Sequence, residues 1–322
     1  MHKSIKPLFG ALAALSIALP PAGCAGRAEF SGKTAYSSLV KQVSFGPRVP
    51  GTAAHDACRD YLAAELKATA DSVQVQHFEY RRVVRPASYR RQLRLAADAP
   101  VPASSTYPMD NIVAVVNGAN GKPPELLLCA HWDSRPTADQ ETSAANRLKP
   151  IDGANDGASG VAILLELARV LHAKRPTQGV ILALFDGEDL GPGTEDMMVG
   201  AVHYAKNPLP VKPKEGILLD MVGDADLGIY KEGASLDANR ALTETIFATA
   251  GRLGYGKQFV PELKFTMEDD HIPLIAAGIP TVDLIDFDYL PWHTLRDTPD
   301  KCSAESLEAV GKTLAAVVYD RK

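Results

Sequence analysis

The sequence predicts one α/β domain of three layers, in which helices cover both faces of a mostly parallel sheet. Continuous apolar runs at residues 111–116 and 125–129 indicate strands that are buried on both faces, as parallel strands are, and residues 180–185 indicate another buried strand. Helical segments alternate with the strands along the chain, as is typical of α/β proteins. The composition supports a large core, since 46% of the 322 residues are hydrophobic and 23% are charged.

The alternation of strands and helices is not interrupted by a linker, so we expect a single folded domain over residues 33–322. The formal net charge is −5, and such a mildly acidic chain gives no reason to expect a nucleic acid partner. We expect the protein to be a monomer.

The first 24 residues have the pattern of a secretory signal peptide. Two lysines precede an apolar segment that is too short to span a membrane, and small residues follow it. The Ala-Gly-Cys sequence that ends at Cys24 also resembles a bacterial lipobox, although Pro21 stands where that pattern has leucine or a similar residue. We therefore expect an exported protein, periplasmic or secreted, in which a lipid on Cys24 would be the sole membrane anchor.

Three cysteines remain beyond this segment, namely Cys58, Cys129 and Cys302. An odd number in an exported protein argues against a disulfide framework, and the sequence leaves open whether two of them are bridged. Cys129 lies in an apolar strand, so we expect a small buried hydrophobic residue there.

Two helices and an edge strand are expected at the start of the domain. The second helix covers residues 52–70, and the prolines and glycines of FGPRVPGT form a rigid connector in front of it. Residues 72–83 alternate between apolar and polar, as an edge strand does. Residues 135–150 are polar and irregular, and this pattern indicates a loop beyond a strand end.

A glycine-rich turn leads into a helix within residues 151–171. Its glycines allow positive φ angles and close packing, and Ser159 is the expected helix cap. Asp156 projects from the middle of the turn. Taken alone, an acid between glycines is most simply explained as a solvated turn residue.

The remaining chain continues the same alternation. A long loop over residues 187–200 is followed by a short helix. Further strands are predicted at residues 180–185, 216–221 and 280–285, and further helices at 236–253, 273–277 and 303–319.

Acids and histidines follow the predicted strands, and ligands bind at the carboxyl ends of strands in such sheets. His131 and Asp133 face the same side of an extended chain, either as a simple hydrogen-bonded pair or as a metal-binding histidine with its orienting carboxylate. The adjacent Glu188 and Asp189 diverge. One of them could bind a metal while the other acts as a general base, and the alternative is a solvated acidic loop.

Asp156, Asp220 and His293 add to these residues a set of oxygen and nitrogen ligands. Such a set suits zinc in a catalytic site that keeps one position open. No cysteine belongs to the set, which argues against a structural zinc.

Six segments together resemble the glutaminyl-peptide cyclotransferases (glutaminyl cyclases), which share the fold of the co-catalytic di-zinc aminopeptidases. The segments are AHWDSRP, GANDGASGVAILLELA, ALFDGED, LLDMVGD, EDDHIP and PWHTLRD. They keep the family's order and span roughly residues 40–318. The resemblance implies a zinc-exopeptidase-like catalytic domain that acts on peptide or protein N-termini. It would convert an N-terminal glutamine to pyroglutamate and release ammonia.

The resemblance also implies the metal ligands. One zinc ion would be held by Asp156, Asp189 and His293, with Glu188 as the general acid and base. The chain departs from the family at two places. Asp189 replaces the glutamate that is usual in the aminopeptidases and in animal cyclases, and GPGTEDMMVG lacks an aromatic residue that cyclases often carry there.

Further roles follow from the same resemblance. Asp220 and Asp269 would complete a carboxylate network with Glu188, and Trp292 would form a wall of the substrate pocket. Asp270 is expected at the substrate as well, and a proton shared between Asp269 and Asp270 would tune the base.

The reaction itself stays open at this point. A di-zinc aminopeptidase needs a histidine and an aspartate for its second metal, and His131 and Asp220 stand at those positions, with Asp156 as the potential bridge. The segment EDDHIP and the tryptophan before His293 favour the cyclase and one zinc. A third alternative, an inactive relative that serves as a binding module, is disfavoured because none of the ligands is missing.

Overall fold

The computed structural model describes residues 1, 2 and 29–321. The predicted signal peptide and the predicted lipid at Cys24 lie outside the described residues, so both stay predictions. Within the described residues, no helix is both long enough and apolar enough to span a bilayer.

Eight strands form a large sheet and a small one. In chain order they are β1 (Ser72–Arg82), β2 (Ser105–Val116), β3 (Leu126–His131), β4 (Val180–Phe185), β5 (Glu215–Asp220), β6 (Ile229–Glu232), β7 (Phe259–Phe265) and β8 (Thr281–Ile285). The large sheet has the order β1-β2-β4-β3-β5-β8, and the small sheet pairs β6 with β7 in parallel. The small sheet was not predicted from the sequence.

The large sheet is mostly parallel, as predicted. Strands β4, β3, β5 and β8 run parallel to one another, and β1 is the edge strand that its alternating pattern indicates. The expectation that residues 111–116 form a parallel strand is wrong, because β2 is antiparallel to both β1 and β4. Residues 109–116 are nevertheless all buried, since helices cover this part of the sheet on both faces. A continuously apolar strand therefore indicates that both faces of the sheet are covered at that strand, and it does not indicate the direction of the strand.

Helices lie on the two faces of the large sheet, which gives the three predicted layers. In chain order they are α1 (Gly32–Val43), α2 (Ala53–Thr69), α3 (Pro86–Gln92), α4 (Ala144–Arg147), α5 (Ala158–Ala173), α6 (Val199–Lys206), α7 (Gly233–Arg252), α8 (His271–Ala276) and α9 (Ala304–Asp320). Helices α1, α2, α5, α7 and α9 contribute to one core, and α6 and α8 contribute to the other. Successive residues of each strand alternate between the two cores, as Leu128 and Cys129 do.

Helix α5 begins differently from the prediction. The N-cap residue is Gly157, which has φ of 95°, and Ser159 lies inside the first turn of the helix. The Ser159 hydroxyl donates to the carbonyl of Asn155 at 2.6 Å and accepts from the amide of Val222 at 3.2 Å. Ser159 therefore ties the turn to the end of β5, and the expectation that it caps the helix is wrong.

The three cysteines of the domain are buried and free, so the described chain contains no disulfide. Cys129 is fully buried in β3, as predicted.

Arg48, in the connector before α2, is a fully buried cation that joins this connector to the loops beyond β3. Its guanidinium donates to the carbonyl oxygens of Asp152 and Gly153, the latter at 2.7 Å, and its Nε donates to that of Trp132 at 3.3 Å. Its amide donates to Ser134 Oγ at 2.9 Å. One side chain thus holds the glycine-rich turn against the end of β3.

We predict that Arg48→Ala lowers the free energy of unfolding by about 3 kcal/mol, because it removes charge-assisted hydrogen bonds and leaves buried carbonyl groups unpaired. The matched control is Arg252→Ala, since Arg252 forms an exposed ion pair with Asp320 at 2.9 Å. That change is expected to alter the free energy by less than about 0.5 kcal/mol. Urea denaturation of the metal-loaded proteins measures both values. Equal losses in the two variants would contradict the assignment.

Candidate active site

The predicted site residues meet at the carboxyl edge of the parallel strands. His131 is the last residue of β3, and Asp220 is the last residue of β5. Glu188 and Asp189 follow the end of β4, and Asp156 lies in the turn before α5. All of these residues are buried. The edge therefore has the composition that the sequence predicts.

Glycine lets the turn that carries Asp156 lie against His131. Gly157 has φ of 95°, and a Cβ atom there would stand 2.7 Å from the carbonyl oxygen of Asp133 and 2.9 Å from Cε1 of His131. Any side chain would therefore displace the turn. Asp297 fixes the turn from the other side, where its carboxylate accepts from the amides of Asn155 at 2.8 Å and Asp156 at 3.1 Å.

Asp156, Asp189 and His293 form the first of two carboxylate–histidine groups, which we call group 1. His293 Nε2 lies 3.5 Å from both Asp156 Oδ2 and Asp189 Oδ1. Its other ring nitrogen, Nδ1, is bonded to Asp139 Oδ1 at 3.0 Å. The buried Oδ2 atoms of Asp156 and Asp189 have no hydrogen-bond partner. One potential ligand atom from each of the three residues lies within 4.8 Å of the other two.

His131, Asp156 and Asp220 form the second group, group 2. His131 Nε2 lies 3.1 Å from Asp156 Oδ1 and 3.2 Å from Asp220 Oδ1. Asp156 therefore belongs to both groups through different oxygen atoms. The two groups contain all five residues that the sequence predicts as ligands of one or two metal ions.

Asp133 orients the loop after β4, which carries the predicted base Glu188 and the predicted metal ligand Asp189. Its two carboxylate oxygens accept from the amides of Glu188 at 3.1 Å and Asp189 at 3.2 Å. Asp133 Oδ1 also lies 3.4 Å from Nδ1 of His131. Both of the alternatives for the His131–Asp133 pair are thus compatible with its geometry, and the carboxylate has a second task that the sequence did not indicate.

Arg135 and Asp139 were not predicted. The Arg135 guanidinium is ion-paired with Asp189 and bonds Asp139 Oδ2 at 2.7 Å. Burial opposes ionisation of Asp189, but Arg135 and His293 outweigh it and hold the pKa of that carboxyl well below its usual range. Asp139 and Asp189 together raise the pKa of His293 to about 9 against the effects of burial and Arg135. Arg135 stands in the segment AHWDSRP, yet nothing in that segment indicates its partner.

Glu188 lines the cleft at the edge of the sheet and lies apart from the Arg135 pairing. Burial and the neighbouring Asp189 raise the pKa of Glu188 well above its ordinary value. Burial also raises the pKa of Asp220 and Asp269, and both carboxylates line the cleft with Glu188. A carboxyl group whose pKa is raised toward neutrality is suited to accept a proton and return it.

Asp270 lies behind this surface. It is fully buried, both of its carboxylate oxygens lack a hydrogen-bond partner, and it does not line the cleft. Because Asp270 is absent from the cleft lining, its contact with substrate stays a prediction. Burial and Asp269 raise the pKa of Asp270 well above its ordinary value, which agrees with a protonated neighbour of Asp269.

A third buried group, also unpredicted, supports Asp269 from behind. His271 lies between two carboxylates, with Nε2 at 3.5 Å from Glu232 Oε2 and Nδ1 at 3.7 Å from Asp283 Oδ2. Glu232 caps α7 by accepting from the amides of Ala234 and Ser235 at 2.8 and 2.6 Å. This network anchors the segment before α8 to the start of α7.

The cleft has a volume of about 560 Å³ and one apolar wall. Phe287 and Trp292 pack edge to face with ring centroids 4.9 Å apart, and Trp292 stacks on His293 at 3.9 Å. Met221 and Met267 extend this wall. Trp292 thus lines the cleft, and its contact with substrate stays a prediction.

Three residues of the cleft have strained backbones. Arg94, Met221 and His293 have φ of 50°, 48° and 53°, in the left-handed region that costs residues other than glycine about 1–2 kcal/mol. Such strain is tolerated where neighbouring structure enforces it and is common at active sites. His293 in this conformation has its Nε2 atom 3.5 Å from both carboxylates of group 1.

Group 1 fits a zinc ion. One imidazole nitrogen and two carboxylates are a donor set that catalytic zinc sites use. The unpartnered oxygens of Asp156 and Asp189 are the atoms that a cation would satisfy, and the Asp139 bond to Nδ1 fixes the His293 ring with Nε2 toward them.

The chain belongs to peptidase family M28. Residues 111–318 match the sequence profile described as Peptidase family M28. Relatives described as zinc metalloproteases match as well, and zinc is the metal of this family's enzymes. The fold is that of the zinc exopeptidases.

Similar solved structures include cyclases and an aminopeptidase. The glutaminyl cyclase of Tannerella forsythia is 38% identical, with a TM-score of 0.79 over 91% of this chain and 100% of that one. A leucine aminopeptidase precursor from Bacteroides thetaiotaomicron is 32% identical, with a TM-score of 0.80 over 91% and 98%.

Among curated relatives, the glutaminyl-peptide cyclotransferase of Drosophila melanogaster is 25% identical over 84% of this chain and 75% of its own length. The chain spans between 32% and 44% of the length of several other curated relatives.

We predict that Asp156→Ala and His293→Ala each abolish zinc retention during dialysis, because each removes one of three donors of group 1. His131→Ala is expected to retain zinc. Asp300→Ala, which changes an exposed carboxylate, is the folded control. Elemental analysis of the purified proteins, beside circular dichroism to verify folding, measures the outcome. A zinc-replete Asp156→Ala protein would remove Asp156 from the ligand set.

Proposed function

We propose that this protein is a zinc-dependent glutaminyl-peptide cyclotransferase, which converts an N-terminal glutamine to pyroglutamate and releases ammonia. The observation that carries the proposal is the placement of Glu188. Glu188 lines the same cleft as Asp156 and His293 of group 1, and Phe287 and Trp292 line that cleft as well. The similarity to bacterial glutaminyl cyclases over nine-tenths of the chain supports the same reaction.

The cleft suits a single N-terminal residue folded back on itself. The α-amine and the γ-carboxamide of glutamine belong to one residue, so the protein has only to bring the two groups together and exclude water. Phe287, Trp292 and Met267 provide the apolar surface for the side chain's methylene groups. The zinc ion, when bound by group 1, supplies a Lewis acid for the γ-carbonyl oxygen.

Glu188 would transfer one proton from the α-amine of the substrate to the departing amide nitrogen. Its carboxylate accepts a proton from the α-amine as the amine nitrogen attacks the γ-carbon. The bond between the γ-carbon and the amide nitrogen then breaks, and Glu188 returns the proton to the departing nitrogen, which leaves as ammonia. The products are a five-membered lactam and ammonia, and no water is consumed.

Asp133 and Asp269 would position the base. Asp133 accepts from the amide of Glu188 and so fixes the backbone from which the carboxyl group projects. Asp269 and Asp220 line the cleft with Glu188. Burial and Asp189 raise the pKa of Glu188 most, and the charge of Asp269 adds to them.

We propose one zinc ion per chain. Asp156 divides its oxygens between the groups: Oδ1 is engaged by His131, whereas Oδ2 lacks a partner and faces His293. Asp220 Oδ1 is engaged by the same His131 nitrogen. Group 2 thus has a protein donor between its carboxylates, whereas the unpartnered oxygens belong to group 1, which supports a cation there.

A di-zinc aminopeptidase is the second candidate. The observation that favours it is the presence of His131, Asp156 and Asp220 within ligand distance of one another. The similarity to a leucine aminopeptidase precursor is as extensive as that to the cyclases. In that reaction Glu188 would take its proton from water instead of from the substrate's amine.

We predict that Glu188→Gln retains zinc but lowers kcat by about 10²- to 10⁴-fold, since the amide cannot accept a proton. Glu244→Gln, an exposed glutamate of α7 remote from the cleft, serves as the matched control. The measurements are the rate of ammonia release from a Gln-initiated peptide and the zinc content of each protein. Normal turnover by Glu188→Gln would assign the base elsewhere.

The choice between the two reactions is tested with two peptides that differ only in glutamine or leucine at the first position. From the first peptide we expect ammonia and a peptide product whose mass is lower by the mass of ammonia. From the second peptide we expect no free leucine. Ammonia and free amino acids are followed together, and zinc per chain is measured on the same sample. Leucine release at a comparable rate, with two zinc ions per chain, would make the enzyme an aminopeptidase.

A further inference from the structure

The segment at residues 81–94, which we call the arginine segment, carries a concentration of positive charge in an acidic chain. It contains six arginines and no acidic residue, whereas the whole chain has 34 basic and 39 acidic residues. It runs from the end of β1 through α3, and it reaches the cleft at Gln92 and Arg94. None of the proposed catalytic roles uses it.

Three of its arginines are engaged away from the cleft. Arg82 is buried against Asp196 at 3.3 Å, and Arg85 is paired with Glu195 at 3.6 Å. Arg90 donates to the carbonyl of Ala99 at 2.7 Å. These contacts hold the segment against the domain. Among the arginines of the segment, Arg94 is the one that lines the cleft.

The backbone of Arg94 is held firmly. Its φ of 50° lies in the left-handed region, and the next amide, that of Leu95, donates to the carbonyl of Arg90 at 2.8 Å. The buried guanidinium of Arg147 donates to the carbonyls of Leu93 at 2.6 Å and Arg94 at 2.8 Å. The side chain therefore projects from a fixed point, although it is exposed.

The charge of Arg94 is not compensated by the protein. One terminal nitrogen, Nη2, donates to the main-chain carbonyls of Asp139 and Glu141. Carbonyl groups carry no net charge, and among residues 29–321 no carboxylate is ion-paired with this guanidinium. The Asp139 carboxylate is already taken by Arg135 and His293. Nε and Nη1 of Arg94 remain as free donors at the cleft.

Arg94 is also close to the proposed chemistry. Its guanidinium bonds the carbonyl of Asp139, and the carboxylate of the same residue bonds His293 of group 1. A peptide whose first residue reaches group 1 lies in the cleft that Arg94 lines. Successive residues advance by about 3.3–3.6 Å, so a side chain just after the first is within the dimensions of the same cleft. One exposed anion, Glu268, also lines the cleft.

We propose that Arg94 selects substrates with an acidic side chain directly after the N-terminal residue. This inference rests on the proposed function and specifies its substrate class as peptides that begin Gln-Glu or Gln-Asp. Each free N–H group of a guanidinium can donate a charge-assisted hydrogen bond to a carboxylate. Glu268, the exposed anion of the same cleft, repels that carboxylate.

The test compares amidated peptides Gln-Glu-Ala-Phe and Gln-Gln-Ala-Phe, which have no C-terminal carboxylate and differ in one charge. We expect the wild-type enzyme to favour the glutamate peptide in kcat/KM by about two- to fivefold, as an exposed ion pair allows. The preference should shrink as salt is added. In Arg94→Gln the ratio should fall to about one, and in Arg94→Lys part of it should return.

Two further variants sharpen the result. Arg91→Gln removes an exposed arginine of the same segment that does not line the cleft, and it should leave the ratio as in wild type. Glu268→Gln should raise the ratio, because it removes the repelling charge. A wild-type ratio of one, or an unchanged ratio in Arg94→Gln, would overturn the proposal.

Failure of the proposed function gives a different result, namely no ammonia from either peptide. If the enzyme releases leucine instead, the ratio is taken from the matched pair Leu-Glu-Ala-Phe and Leu-Gln-Ala-Phe. If neither reaction occurs, the dissociation constants of the two glutamine peptides are measured by calorimetry. Their ratio then replaces the ratio of kcat/KM, for wild type and for Arg94→Gln. The role of Arg94 is therefore decided separately from the reaction.

Discussion

Buried negative charge is the constraint on which the rest of this structure depends. Six buried carboxyl groups lie at or near the carboxyl edge of the sheet, and a seventh, Asp283, lies within β8. The six are Asp156, Glu188, Asp189, Asp220, Asp269 and Asp270. Buried carboxyl groups cannot all ionise in such a place unless cations and donors surround them. The protein supplies Arg135, His131 and His293, and the unpartnered oxygens of group 1 are suited to a metal ion. Burial and a neighbouring aspartate raise the pKa values of Glu188 and Asp270, and His131 offsets only part of this effect.

The fold is built to hold these groups in place at some expense in local conformation. Gly157 brings the Asp156 turn into contact with His131, and Asp297 binds two amides of that turn. His293 is kept in a left-handed conformation between the stacked Trp292 and the carboxylate of Asp139. A loose site would let the carboxylates separate and hydrate. Rigid connections from buried partners prevent that separation, and they preserve a geometry that prefers a cation over water.

The sequence predicts the parts of this structure that follow from local pattern. Apolar runs indicate the central strands, and the glycine-rich turn places Asp156, because periodicity and turn chemistry are properties of neighbouring residues. Strand direction is not such a property, so β2 was assigned wrongly. The partners Arg135 and Asp297 were also missed, since a buried ion pair or an amide-binding carboxylate depends on contacts between distant segments. Ser159 shows that local pattern can fail even within a single turn. Its hydroxyl accepts from the amide of Val222, just beyond the end of β5, and does not cap the helix.

The difference between the two candidate reactions comes down to the surroundings of one carboxylate. Asp156 faces His131 with one oxygen and His293 with the other, so the same residue can serve a site for one cation or for two. Hydrolysis needs water beside Glu188, whereas cyclisation needs the substrate's own amine there. His131 Nε2 lies 3.1 Å from Asp156 Oδ1 and 3.2 Å from Asp220 Oδ1, so it provides a protein donor within group 2. Phe287 and Trp292 line the cleft with apolar surface. Apolar surface favours the methylene groups of a folded-back glutamine side chain over water, and this favours intramolecular attack.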